Sequence, residues 1–158
     1  MNWKKYKPYL YSIVISEGVG FLASFLSREG TKRFNLYVNK PPLTPPALVF
    51  PIAWGTLYAL MGISSARIWL SPMSGKRSWG LNLYITQLVL NFFWTLIFFN
   101  AAAYGAAAIW ILILWLAVLA MVWQFFGVDK TAAWLQVPYL AWLTFAAYLN
   151  FGVWMLNK

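Results

Sequence analysis

The chain has 158 residues, of which 62% are apolar, 9% charged and 20% aromatic, with a net charge of +9. A soluble domain is nearer half apolar and a quarter charged, so this chain lacks the charges that a water-facing surface needs. Its basic residues sit in the gaps between apolar runs rather than along a stripe, which argues against a nucleic-acid surface and fits headgroup contact and topology. With no Cys and no His, disulfides, thiolate chemistry, Cys/His zinc sites and His or Cys haem ligation are excluded.

A membrane-crossing helix needs roughly 20 apolar residues, and the chain divides into five such runs with short connections. The first is Tyr9–Leu26, preceded by Lys4, Lys5 and Lys7. A basic start followed by an apolar run also suits a cleaved leader, but Glu17 interrupts the run and no small-residue cleavage pattern follows, so a retained helix is expected. Ser16, Gly20 and Ser24 recur every four residues, a stripe that lets a second helix approach closely. A polar loop is expected over Ser27–Thr44, ending in the Pro41-Pro42-Leu43-Thr44-Pro45-Pro46 run.

The second helix is expected over Ala47–Leu70, with Pro51 one turn inside and Arg67 close enough to its end to snorkel. A loop over Ser71–Trp79 leads to a third helix over Leu81–Phe99. The short turn Asn100–Gly105 makes the fourth helix, Ala106–Phe126, its antiparallel neighbour. After Gly127–Thr131 the fifth helix runs over Ala132–Leu156, with Pro138 near its start. The expected architecture is an all-α membrane protein, a five-transmembrane-helix bundle forming one domain over residues 1–158. Seven basic residues on the N-terminal side against five on the other orient the N-terminus to the cytoplasm by the positive-inside rule.

Side chains at i, i+4, i+7 and i+11 share one helix face. That places Phe50, Trp54, Leu57 or Tyr58, and Met61 together on the second helix, and Gln87, Asn91, Trp94 and Phe98 together on the third. On the fifth it aligns Pro138, Trp142, Phe145 or Ala146, and Leu149 or Asn150. An amide facing lipid would forfeit its hydrogen bonds, so Gln87, Asn91 and Asn150 are expected to point inward. Aromatic walls with a few amides suit a flat, mostly apolar ligand; the same residues also serve as inter-helix glue. The fourth helix, without a polar side chain between Ala106 and Trp123, is expected to face lipid or to pack only.

Glu17 is the one acid inside a membrane segment, and such a residue is costly enough to be a functional candidate. The other two acids, Glu29 and Asp129, do not pair with it for acid–base work. No activated nucleophile or phosphate-binding loop appears, so the reading leans away from an enzyme and requires no cofactor.

Four stretches resemble the tryptophan-rich sensory protein and translocator protein (TspO) family, also known as the peripheral-type benzodiazepine receptor family. They are Lys40–Pro46 leading into Val49–Gly62, then Gln87–Thr95 with Ile97–Phe99, then Ala133–Leu135 with Val137–Trp142, and finally Phe145–Asn150 with Val153-Trp154. The resemblance spans essentially the whole chain. It implies a five-helix bundle, often a homodimer, in a bacterial cell membrane, with a ligand pocket beneath the first loop. It further implies binding of porphyrins and of isoquinoline-type or benzodiazepine-type compounds, and a part in porphyrin handling and stress signalling as a receptor or carrier. Trp54, Asn91 and Trp142 match family positions that contact ligand, and Ala146, Leu149 and Asn150 match its helix-five ligand region. With Tyr58 and Trp94 from the face argument, these form the expected binding site. Trp54 and Trp142 would stack on the ligand and Asn91 would donate a hydrogen bond to it.

Two alternatives stand beside that reading: light-dependent or oxidative porphyrin breakdown, with the two tryptophans doing redox work, and proton-coupled export through Glu17. Leu43 stands where the family usually has Trp. After Tyr148 the next basic residue is Lys158, a spacing that argues against sterol binding.

Overall fold

The computed structural model describes residues 2–158 and consists of six helices and one π-helical turn. The helices are α1 (Trp3–Leu26), α2 (Arg28–Tyr37), α3 (Val49–Trp69), α4 (Gly75–Thr95, continued by a π turn over Leu96–Asn100), α5 (Tyr104–Phe126) and α6 (Lys130–Leu156). All but α2 are long and apolar enough to cross a membrane. They pack in the ring order α1, α3, α6, α5, α4, with α1 and α4 closing the ring lightly.

The segment expected as a polar loop after α1 contains α2. Its buried residues, Gly30 and Phe34, lie one turn apart. Phe34 packs on Phe98 and Phe99 at ring distances of 5.3 and 5.4 Å, and Gly30 lies against the Phe99 backbone, where a Cβ would have no room. A period of four that brings one glycine and one aromatic to the same face is a helix signal, but four charged residues in the segment mask it. The π turn turns Asn100 toward α1, and its side-chain amide donates to the Leu26 carbonyl at 3.0 Å, one of the orphan acceptors at the end of α1.

The proline-rich connection from α2 to α3 is fastened to the far end of α6. Asn39 and Asn157 exchange hydrogen bonds of 3.0 and 2.8 Å, and the Tyr148 hydroxyl donates to the Pro42 carbonyl at 2.8 Å. Pro41 lies over Gly152, which leaves no space for a Cβ. Leu43 takes a left-handed backbone conformation (φ 69°) with its side chain exposed. Pro51 falls in the first turn of α3, where the missing N–H costs no intrahelical bond.

At the opposite end, two expectations change. Arg67 does not run free to the headgroups: its guanidinium pairs with Asp129 at 2.9 Å, while the other Asp129 oxygen caps α6 through the Ala132 N–H. The α4 helix begins earlier than Leu81, at Gly75, because Ser74 caps it. Arg77, read as a loop residue, is buried and donates to the Ile68 and Trp69 carbonyls at the end of α3. The α5 helix packs rather than merely facing lipid. Ile111, Leu114, Val118, Met121 and Phe125 are fully buried against α4 and α6, while Ile109, Leu112, Leu116 and Trp123 form its outer face.

Close approach of α1 to α3 rests on small residues. The Ser16 hydroxyl donates to the Tyr58 carbonyl at 2.7 Å, and the Tyr58 ring lies on Gly20. Across the same seam the Ile13 backbone touches Gly62, where an added Cβ would stand 2.5 Å from the Ile13 Cα. Backbone cannot yield there, so Gly62→Val should destabilise the detergent-solubilised protein by about 1–3 kcal/mol. Gly18, with open space around a built Cβ, serves as the control: Gly18→Ala should gain about 0.5–1 kcal/mol from helix propensity. Thermal unfolding followed by circular dichroism separates the two, and equal melting points for Gly62→Val and wild type would refute the seam.

Candidate functional site

A cavity of about 460 Å³ lies between α1, α3, α4 and α6, beneath α2 and the later part of the proline-rich connection. Its wall contains Trp54 and Tyr58 from α3, Trp94 from α4, and Trp142, Ala146, Leu149 and Asn150 from α6. Seven of the eight residues expected in a binding site therefore share one cavity. Trp54 is the hub of its aromatic wall. Its ring lies 5.8 Å from Tyr58, 6.4 Å from Trp94 and 6.5 Å from Trp142, the last nearly perpendicular at 87°. Phe50 adds an edge contact to Trp142 at 6.1 Å. Such offset and edge-on pairs are the favoured aromatic geometries.

The eighth residue, Asn91, lies behind that wall. It is 1% exposed and is not among the cavity-lining residues. Its amide nitrogen donates to the Tyr58 and Tyr139 hydroxyls, both at 3.1 Å, and Tyr139 donates onward to the Gln87 amide oxygen at 2.7 Å. Both Asn91 donors are thus held by the protein, and the hydrogen bond expected toward a ligand goes to two tyrosines. Asn150 is placed similarly but at the wall: it accepts from the Trp94 indole at 3.0 Å and donates to the Tyr104 carbonyl at 2.9 Å. These bonds fix the rotamers of Trp94 and Tyr58, and so the shape of the cavity.

Several lining residues escaped the sequence reading. Thr31, Phe34 and Asn35 belong to α2, whose helical character was masked by charge; Thr44 and Ala47 come from the proline-rich connection. Ser24, part of the small-residue stripe, faces the cavity rather than a helix, and so does Glu17. Leu43 is not a lining residue. Gln136 was also missed: it is fully buried and its side-chain amide has no partner among the described residues. Its place in Leu135-Gln136-Val137 was a signal, since an amide in a membrane helix turns inward.

The sequence model of the TspO/MBR family matches residues 12–155. The chain belongs to the TspO/MBR family. It is 41% identical to the tryptophan-rich sensory protein of Cereibacter sphaeroides over 120 residues, which is 76% of this chain and 74% of that protein. It is 40% identical to protein CrtK of Rhodobacter capsulatus over 121 residues, 76% of each chain. The translocator protein of Ovis aries is 40% identical over 152 residues, 94% of this chain and 88% of that one. With five helices able to span the bilayer, this TspO/MBR member is a multi-pass integral membrane protein in contact with lipid. Family membership supports a receptor or carrier role in the membrane.

The Asn91 cluster carries a stability prediction of its own. Asn91→Ala leaves the buried Tyr58 hydroxyl without its partner and takes one of two from Tyr139, and a buried group left unpaired costs about 1–3 kcal/mol. A drop in melting temperature in detergent should follow. An unchanged melting temperature would mean that the tyrosines find other partners and that Asn91 does not organise the core.

Proposed function

We propose that the chain is a membrane receptor or carrier that holds a flat, largely apolar ligand of the tetrapyrrole or isoquinoline/benzodiazepine class in this cavity, within porphyrin handling and stress signalling. The observation that supports the reading is the convergence of Trp54, Trp94 and Trp142 with Ala146, Leu149 and Asn150 on one cavity. A volume of about 460 Å³ lies in the range of small-molecule sites. Stacking and apolar contact supply the affinity, and Trp54 and Trp142 provide the ring faces. Asn91 contributes through Tyr58, whose hydroxyl it holds. The strap from α2 to the end of α6 covers the outer end of the site, so the ligand is captured beneath it. The homodimer implied by the family resemblance belongs to the same proposal, with light scattering in detergent as its direct check.

One observation favours a second reading, the light-dependent or oxidative breakdown of a bound porphyrin. Trp54 and Trp142 stand edge to face on the cavity wall, where both would lie against the same macrocycle and could exchange an electron with it.

Quenching of tryptophan fluorescence by protoporphyrin, in the dark and then under light, tests both. The expected result is saturable quenching in the dark, with Trp142→Ala weakening affinity about tenfold, or roughly 1.4 kcal/mol, through loss of a stacking face. Quenching that never saturates and is the same in wild type and variant would mean partition into the micelle and would end the pocket reading. New absorption bands under light, lost when either tryptophan becomes Phe, would select the second reading over the first.

A further inference from the structure

Glu17 is the one charged side chain among the residues that line the cavity. Glu17 and Ser27 both line the cavity, about 15 Å apart along α1 at the usual helical rise. The carboxylate takes no part in the ion pairs found among the described residues, which join Arg28 and Lys32 to Glu29 and Arg67 to Asp129. No Lys or Arg lines the same cavity. Lys40, which lines a neighbouring pocket beside α2, directs its ammonium to the Asn35 and Val38 carbonyls at 3.2 and 3.0 Å and stands over the Phe34 ring at 5.0 Å. Glu17 is thus an acid in a membrane segment, facing an aromatic cavity, with no protein cation beside it.

Carrying a carboxylate in a membrane helix costs several kcal/mol unless it is paired or hydrated. The faces of Trp and Phe rings carry negative potential and attract cations. A lone carboxylate and aromatic faces around one cavity therefore act in the same direction: both favour a positively charged nitrogen and disfavour an anion at that depth. We propose that the cavity selects planar aromatic ligands bearing a cationic nitrogen, with Glu17 as the counter-ion on its α1 wall. The proposal rests on the ligand-pocket reading above and specifies its ligand. Any acidic group on the same ligand is directed away from Glu17.

The test uses the full chain in non-ionic detergent and two acridines of equal shape, one bearing a trimethylammoniomethyl group and the other its uncharged neopentyl (2,2-dimethylpropyl) isostere. Dissociation constants come from tryptophan quenching at one pH and salt concentration. Micelle partition is common to all proteins, so the quantity compared is the ratio of the two constants in each protein. Wild type should favour the cation, and Glu17→Gln should shift the ratio by about tenfold toward the neutral compound, as loss of a close charge partner requires. Glu17→Asp, which keeps the charge, should retain the preference and guards against a general defect of substitution at this position. An identical ratio in wild type and Glu17→Gln, with saturable binding that Trp54→Ala weakens, would overturn the Glu17 assignment while the pocket stands. Binding that never saturates, or that ignores Trp54→Ala, would remove the pocket and this proposal together.

Discussion

The side chain of Asn91 ties α3, α4 and α6 together. In a bilayer the apolar surfaces of helices gain little by leaving lipid for one another, so packing and interhelical hydrogen bonds must specify the arrangement. One amide nitrogen meets two tyrosine hydroxyls from two other helices, at 3.1 Å each, and Tyr139 passes the chain of bonds to Gln87. Each such bond in a membrane protein contributes about 0.6–2 kcal/mol, a modest sum whose value lies in its direction. It fixes which face of α3 and which face of α6 turn inward. Trp54 and Trp142 are placed by that choice, as the next inward positions on the same faces. The cavity is therefore a consequence of the polar core beside it.

The outer end of the molecule is held by a different device. The connection between α2 and α3 buries only Pro41 fully, and it is held by hydrogen bonds to α6 and by Pro41 lying on Gly152. Prolines reduce the entropy lost in ordering the segment, so a few bonds suffice. At the other end, Asp129 and Arg67 share an ion pair, while Arg77 satisfies the last carbonyls of α3. Hydrogen bonds and one ion pair close the two ends, and the middle is left chiefly to aromatic packing and amides.

Much of this was legible in the residues. Five apolar runs gave five spanning helices, and the inward turn of Gln87, Asn91 and Asn150 follows from the cost of an amide in lipid. The stripe of Ser16 and Gly20 does meet α3. Three features were not legible, each for a physical reason. The α2 helix carries its helical period on only Gly30 and Phe34, amid charges that resemble a loop. The start of α4 depends on Ser74 and on Arg77 reaching back to carbonyls of α3, a tertiary contact with no local signature. The role of Asn91 could not be separated from its position: the face argument turns it inward, but whether it meets a ligand or a tyrosine depends on side-chain reach across three helices.

The α1 helix departs from this economy. Of its residues only Ser16 and Ala23 are buried, and it meets α4 lightly, so its hold on the bundle is chiefly the seam with α3. Yet it carries the one acid of the membrane segments. If α1 served packing alone, Leu or Ala at position 17 would extend the apolar surface and spare the cost of a charge. Position 17 lies one residue past Ser16, at the edge of the α3 seam and on the wall of the cavity. A carboxylate there bears on what enters the cavity. The helix that contributes least to packing is thus the one on which a change of side chain alters the cavity at least expense to the fold, and ligand selectivity within this architecture is most readily tuned from α1.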